Sequence, residues 1–196
     1  MNRLMNRREA LTAASVVLGG AIIGSHAFLA GCTSPKPKLE PFVGLLGDSD
    51  VALLDEVADT ILPATASSPG AKTARVGEFI NVMVTDCYSP SEQRIFRAGL
   101  HRLTASALER YGREFVELAP EERHAFLLTL EDEIRSYSET RSPSVPESHY
   151  YSMIKQLSVW GYFSSEVGST QARRYVSVPG RYEGCVPYTE GEKAWA

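Results

Sequence analysis

The chain has 196 residues, enough for one domain with a sizeable apolar core. Its 20 Lys and Arg stand against 24 Asp and Glu with no basic run, which speaks against nucleic acid, whose phosphates demand clustered cations. Three cysteines without a Cys-x-x-Cys spacing make neither a disulfide scaffold nor a cluster-binding motif.

The first residues read as a targeting segment. Arg7 and Arg8 sit in a charged stretch, and Leu11 to Ala30 follows without any Asp, Glu, Lys or Arg. A charged region ahead of an apolar run is the secretory pattern, and paired arginines mark the twin-arginine route, which carries proteins already folded. Leu29-Ala30-Gly31-Cys32 then matches the lipobox of bacterial lipoproteins. Residues 1–31 are therefore expected to be a signal peptide, and the Cys32 sulfur the site of lipid attachment. The expected location is the periplasmic side of a bacterial envelope. Thr33 in place of Asp favours the outer membrane where there are two. Cleavage removes Arg3, Arg7, Arg8 and Glu9, leaving 17 basic and 23 acidic side chains, net −6. Residues 32–48 read as a tether, because Pro35, Pro37 and Pro41 forbid a helix and favour extended chain.

Residues 49–163 carry helical patterning. Ser49 or Asp48 is an expected N-cap, and Val51, Leu54, Val57, Ala58 and Ile61 recur on one face before Pro63. After a loop with Pro69-Gly70, a second helix is predicted over Val76–Cys87 with Phe79, Val82 and Met83 inward. Ser89-Pro90-Ser91-Glu92 spells a capping box with proline at the first helical position. The third helix then uses Phe96, Gly99, Leu100, Leu103 and Ala107, and stops at Gly112. A fourth starts at Pro120 with Phe126, Leu127, Leu130 and Ile134 inward. A fifth covers about Glu147 to Tyr162 with Tyr150, Met153, Ile154, Leu157 and Trp160 in the core. The fold class is all-α, a single compact domain of about five helices. Residues 164–196, rich in Gly, Pro and aromatics, form an extended, turn-rich tail expected to bind a partner.

No catalytic, cofactor or metal site is expected. His101, His124 and His149 fall on different helices at no ligand spacing. Glu121-Glu122 and Glu131-Asp132-Glu133 lie at a helix start and on a polar face, where carboxylates serve dipole and solubility. The concentration of Tyr, Trp and Arg after Tyr150 points instead to a protein interface.

Several stretches resemble the gluconate 2-dehydrogenase subunit 3 family. They are Ala58-Asp59-Thr60-Ile61-Leu62-Pro63-Ala64-Thr65, Pro69-Gly70-Ala71, Val76-Gly77-Glu78-Phe79-Ile80 and Tyr88-Ser89-Pro90. Downstream come Gly161-Tyr162-Phe163-Ser164-Ser165-Glu166-Val167-Gly168 and the stretch from Pro179 to Pro187. The lipobox departs from the pattern, since many relatives lack one.

The resemblance implies a noncatalytic small subunit that supports folding, export and stability of a glucose–methanol–choline-type flavoprotein large subunit. FAD would then sit in that partner and haem c in a third, multihaem cytochrome subunit. Tyr162, Phe163, Arg181, Tyr182 and Cys185 are the expected partner-interface residues. Cys185 could pair with Cys87 or with a cysteine of the large subunit. The second is favoured, with Cys87 buried as a small apolar residue. A free-standing envelope lipoprotein adaptor is the alternative reading.

Overall fold

The computed structural model describes residues 44–140, 149–178, 180–181 and 184–196. Arg7, Arg8, Cys32, most of the expected tether, Glu147 and Tyr182 lie outside the described residues.

Among the described residues the chain forms five α-helices: α1 (Asp48–Ile61), α2 (Val76–Cys87), α3 (Pro90–Tyr111), α4 (Pro120–Thr140) and α5 (Tyr150–Ser164). Short 3-10 turns at Ala71–Ala74 and Phe115–Glu117 join α1 to α2 and α3 to α4, and a π-helical turn, Gly168–Ala172, follows α5. The all-α expectation holds. Helix α5 touches the other four helices, so it is the central post of the domain. Its inward residues Tyr151, Ile154 and Leu157 meet Leu54 and Val57 of α1, Ile80 and Val84 of α2, Phe96 and Leu103 of α3, and Phe126 and Leu130 of α4 in one continuous core.

The caps explain the boundaries. Ser89 Oγ accepts from Glu92 N at 3.4 Å and Glu92 Oε2 accepts from Ser89 N at 2.8 Å, the capping box as read from the sequence. Gly112 closes α3 in the left-handed conformation at φ 68°. Helix α1 begins one residue earlier than Ser49, with Gly47 as N-cap and Asp50 Oδ2 accepting its N–H at 3.3 Å. Helix α5 is capped by His149, whose Nδ1 accepts from Tyr151 N at 3.3 Å, and it runs on to Ser164.

The inward face of α2 differs from the expected one. Val76, Ile80, Asn81 and Val84 are buried, while Val82 is exposed and Phe79 and Met83 are only partly covered. The apolar run offers several registers of similar hydrophobicity. A polar residue, Asn81, settles the phase by holding Leu46: Asn81 Oδ1 accepts from Leu46 N at 3.1 Å and Asn81 Nδ2 donates to Leu46 O at 3.2 Å. Leu45 N donates to Thr85 Oγ1 at 2.9 Å beside it. The last residues of the expected tether, Gly44–Gly47, are thus stitched to α2 and bury Leu46.

Candidate functional site

The loop between α1 and α2 is held from every side. Ala71 N donates to Leu62 O at 2.9 Å, closing the loop at its base. Lys72 N donates to Asp59 Oδ1 at 3.1 Å, and Gly77 N donates to Asp55 Oδ1 at 2.7 Å. From α5, the Tyr162 hydroxyl donates to Pro69 O at 2.5 Å. Helix α5 then turns sharply: a Cβ on Gly168 would lie 1.9 Å from Tyr162 O, so only glycine admits this close approach. Ser165 Oγ donates to Tyr162 O at 2.7 Å and accepts from Gly168 N at 3.0 Å. The motif stretches around Asp59, Pro69-Gly70, Gly77 and Tyr162 to Gly168, more than a hundred residues apart at their extremes, therefore meet in one place, where their side chains serve architecture.

Charge follows the same plan. Glu56 of α1 binds both Lys72 and Arg123 of α4. Burial alone would raise its carboxyl, but the hydrogen bonds and charges of Lys72 and Arg123 outweigh that and hold it below the usual range. Arg123 also donates to Val116 O at 2.6 Å and lies over the Phe115 ring. Burial pushes the Asp55 carboxyl up, against the pull of its bond from Gly77 N. His149, wedged between Tyr137 and Tyr150, is held below the ordinary imidazole range, first by burial and then by Arg102, with Glu133 pulling the other way. Among the described residues no cluster of three or more His, Cys, Asp or Glu could hold a metal, and no helix is long and apolar enough to cross a membrane. His101 lines a cleft with Asp50, Glu114 and Phe115, and His124 lines another with Asp59 and Glu121; in neither is a nucleophile set against a base.

The surface is the remaining candidate. Tyr162 is only 3 % exposed and spends its hydroxyl on the loop, so it belongs to the core. Phe163 is half-buried, with Arg173 5.7 Å over its ring. Arg181 and Cys185 are exposed in the tail, and Tyr182 lies outside the described residues.

Two expectations are corrected. Trp160 is 53 % exposed rather than internal, standing edge-on to Phe79 at 5.6 Å. Position 160 lies at the margin of the buried arc, which is centred on Tyr150, Ile154, Leu157 and Gly161, so its ring meets Phe79 of α2 at the edge of the core. Cys87 is an exposed free thiol: it shares the face of Ile80 and Val84 but stands at the last position of α2; Cys185 is free as well. The exposure of Trp160 was not legible in the sequence because large apolar residues on helices are taken for core by default.

No curated protein and no solved structure matches the chain. Residues 48–180 match the model of a family described as gluconate 2-dehydrogenase subunit 3, a span that takes in all five helices and the motif stretches gathered at the loop. The chain belongs to the gluconate 2-dehydrogenase subunit 3 family.

Proposed function

We propose that the chain is the noncatalytic small subunit of a FAD-dependent sugar or polyol dehydrogenase facing the periplasm. In this role it supports folding, twin-arginine co-export and membrane attachment of a glucose–methanol–choline-type flavoprotein large subunit. The observation that carries the reading is the family match over residues 48–180. The geometry supports it: the motif side chains are consumed in holding the loop and helix α5, while large apolar groups are left outside at Trp160 and along the tail. Exposed aromatics of this kind anchor protein interfaces. A flavoprotein that loads its cofactor in the cytoplasm must cross the membrane folded, which the pair Arg7-Arg8 provides for both chains if they travel bound. Cys32, once acylated, would hold the complex at the envelope, outer membrane by preference. The alcohol or hemiacetal carbon is oxidised in the large subunit, so substrate choice lies there, and electrons pass onward to a multihaem cytochrome c or another membrane acceptor. Phe163, Arg181, Tyr182 and Cys185 are assigned to the partner contact, with Trp160 added and Tyr162 acting from behind as their support.

The experiment is purification of the tagged chain from its own envelope fraction, with an absorbance scan and identification of bound chains. A flavin spectrum and a dehydrogenase large subunit in stoichiometric amount are expected. A flavin-free chain without a large subunit would favour the free-standing adaptor. In parallel, Cys32→Ser should abolish palmitate labelling; labelling equal to the wild type would rule out that anchor.

A further inference from the structure

Helix α4 carries His124, Leu127, Leu128 and Glu131 on one stripe along its side, at the spacing that makes helical residues neighbours. Tyr151 and Lys155, adjacent in the same way on α5, face that stripe, and Thr60 and Ile61 at the end of α1 close the third side. The three helices thereby enclose a cleft of about 230 Å³. Its wall is apolar at Ile61, Leu127 and Leu128, and Leu128 stands 51 % exposed.

A hydroxyl without a partner opens onto this cleft. Tyr151 is 1 % exposed, yet its Oη takes no hydrogen bond among the described residues. The neighbouring Tyr150 hydroxyl is unpaired and sealed in, whereas Tyr151 lines the cleft. Burial pushes the Tyr151 hydroxyl up and the nearby Glu131 charge adds to this, so the group is a neutral donor at physiological pH. A buried hydroxyl with no partner is costly unless water or a ligand meets it. The other polar groups already have partners: Lys155 Nζ donates to Glu131 Oε1 at 2.6 Å, and Thr60 Oγ1 donates to Glu56 O at 2.7 Å. The ion pair leaves the cleft without net charge. A charged ligand would lose hydration there without gaining an opposite charge, whereas a neutral carbonyl meets the free O–H and an aliphatic body meets the leucines.

The cleft continues past Thr60 and His124, which also line the neighbouring hollow at the start of α4. That hollow holds Asp59, Glu121 and Arg123. Arg123 is committed to Glu56 and the Val116 carbonyl, while Asp59 and Glu121 form no ion pair among the described residues, so the hollow is acidic. An occupant that runs on through this opening is a chain, and its next segment meets carboxylates. Extended peptides are held in this manner, by main-chain carbonyls on a donor and side chains in successive pockets.

We propose that the cleft between α1, α4 and α5 is a peptide-binding groove that seats an aliphatic residue against Leu127 and Leu128, takes a main-chain carbonyl on the Tyr151 hydroxyl and receives a nearby lysine or arginine at the Asp59 and Glu121 end.

NMR titration of the full chain with two capped tripeptides, acetyl-Leu-Ala-Lys-amide and acetyl-Lys-Ala-Leu-amide, tests the groove in both chain directions. At least one should shift the amide signals of Thr60, Leu128 and Tyr151 and saturate in the millimolar range, the scale expected of so short a ligand. Tyr151→Phe keeps the ring and should weaken binding roughly fivefold, the effect of one hydrogen bond. Leu128→Ser, at an exposed position, should weaken it roughly tenfold through lost apolar contact. Thermal melts like those of the wild type are expected for both variants. Replacing lysine by glutamate in the peptide should weaken binding roughly fivefold at low salt, and Glu121→Gln should narrow that difference. Absence of any shift up to about 20 mM of either peptide, or undiminished binding in either variant, would overturn the groove. Equal affinity for the lysine and glutamate peptides would overturn its acidic end. The compound 4-methylpentanamide offers the same aliphatic body and carbonyl without a chain; if it binds as tightly as the tripeptides, the site is one for small molecules and the peptide assignment falls.

Discussion

Gly168 and Tyr150 show how close contacts set different costs for one added or removed group. At Gly168 the obstructing atom is backbone, Tyr162 O at 1.9 Å from an added Cβ, and backbone in a turn fixed by Ser165 cannot step aside. Gly168→Ala should therefore lose about 1–3 kcal/mol of stability, as overpacking does, in a urea titration. Gly47→Ala, with open space around its Cβ, is the control and should lose less, about 0.5–1 kcal/mol, from the N-cap preference for glycine over alanine. Tyr150 is the reverse case. Its ring fills the space over Gly99, but its buried hydroxyl has no hydrogen-bond partner. Burial, with a smaller contribution from Glu133, pushes that hydroxyl up to about 12. Tyr150→Phe should be neutral or stabilising by up to about 1 kcal/mol, since it removes an unpaired polar atom and keeps the ring. The raised folded value also carries a sign: its contribution is intact below pH ~10, the unfolded tyrosine value, and is lost as pH rises toward 12. Alkaline melting curves of Tyr150→Phe should fall less steeply across that window; an identical slope would refute the assignment.

At the scale of elements, helix ends decide more than helix interiors. Helix α5 is the central post, yet its N-terminus depends on an imidazole acceptor at His149, which only the neutral ring supplies. Burial depresses its pKa, so its stabilisation is complete above pH ~6.5, the unfolded value, and is lost as pH falls through the lower folded value. Glu133, with Nε2 at 3.8 Å, opposes this loss, and Arg102, bound to Glu133 at 3.0 Å, reinforces it. His149→Asn keeps an N-cap acceptor without a titratable ring. Thermal melts should then show a flatter stability profile below pH 6.5 than the wild type shows. At α3 the N-cap hydroxyl donates to the Glu92 carboxylate and holds it below the usual range, and Ser89→Ala should cost about 1 kcal/mol at neutral pH, measured by the same melts.

At the scale of the whole molecule, the two exposed thiols and the proposed export signal carry the remaining predictions. Cys185 lies in the tail and Cys87 at the end of α2, both free and exposed. Under the small-subunit reading, non-reducing electrophoresis of the complex should give a band at the summed mass that collapses on reduction and is absent in Cys185→Ser. Persistence of that band in the variant would transfer the role to Cys87. Arg7→Lys with Arg8→Lys should strand both chains in the cytoplasm; normal periplasmic dehydrogenase activity in that double variant would count against co-export.

Helix boundaries, caps and the all-α class were legible in the amino-acid order because they rest on local physics: a serine whose oxygen satisfies an N–H three residues on, a proline at the first turn, a glycine that turns left-handed at Gly112. The recurring apolar positions of α3 and α4 were legible for the same reason, since one face of each meets the core and the other meets water. What the order of residues left open was wherever several outcomes share the same local pattern. The phase of α2 among apolar neighbours was decided by Asn81 gripping a backbone 35 residues away. That choice turned Val82 outward. Trp160 stands outside because α2 and α5 approach side by side and leave Phe79 as its neighbour. Tyr162, an aromatic beside a surface motif, is internal because Pro69 offers its hydroxyl an acceptor 93 residues away in the chain. The stacking of Arg174 on Trp195 likewise joins residues that no local pattern connects. Contacts within a turn of helix are fixed by covalent neighbours, whereas contacts between distant segments exist only once the core has brought them together.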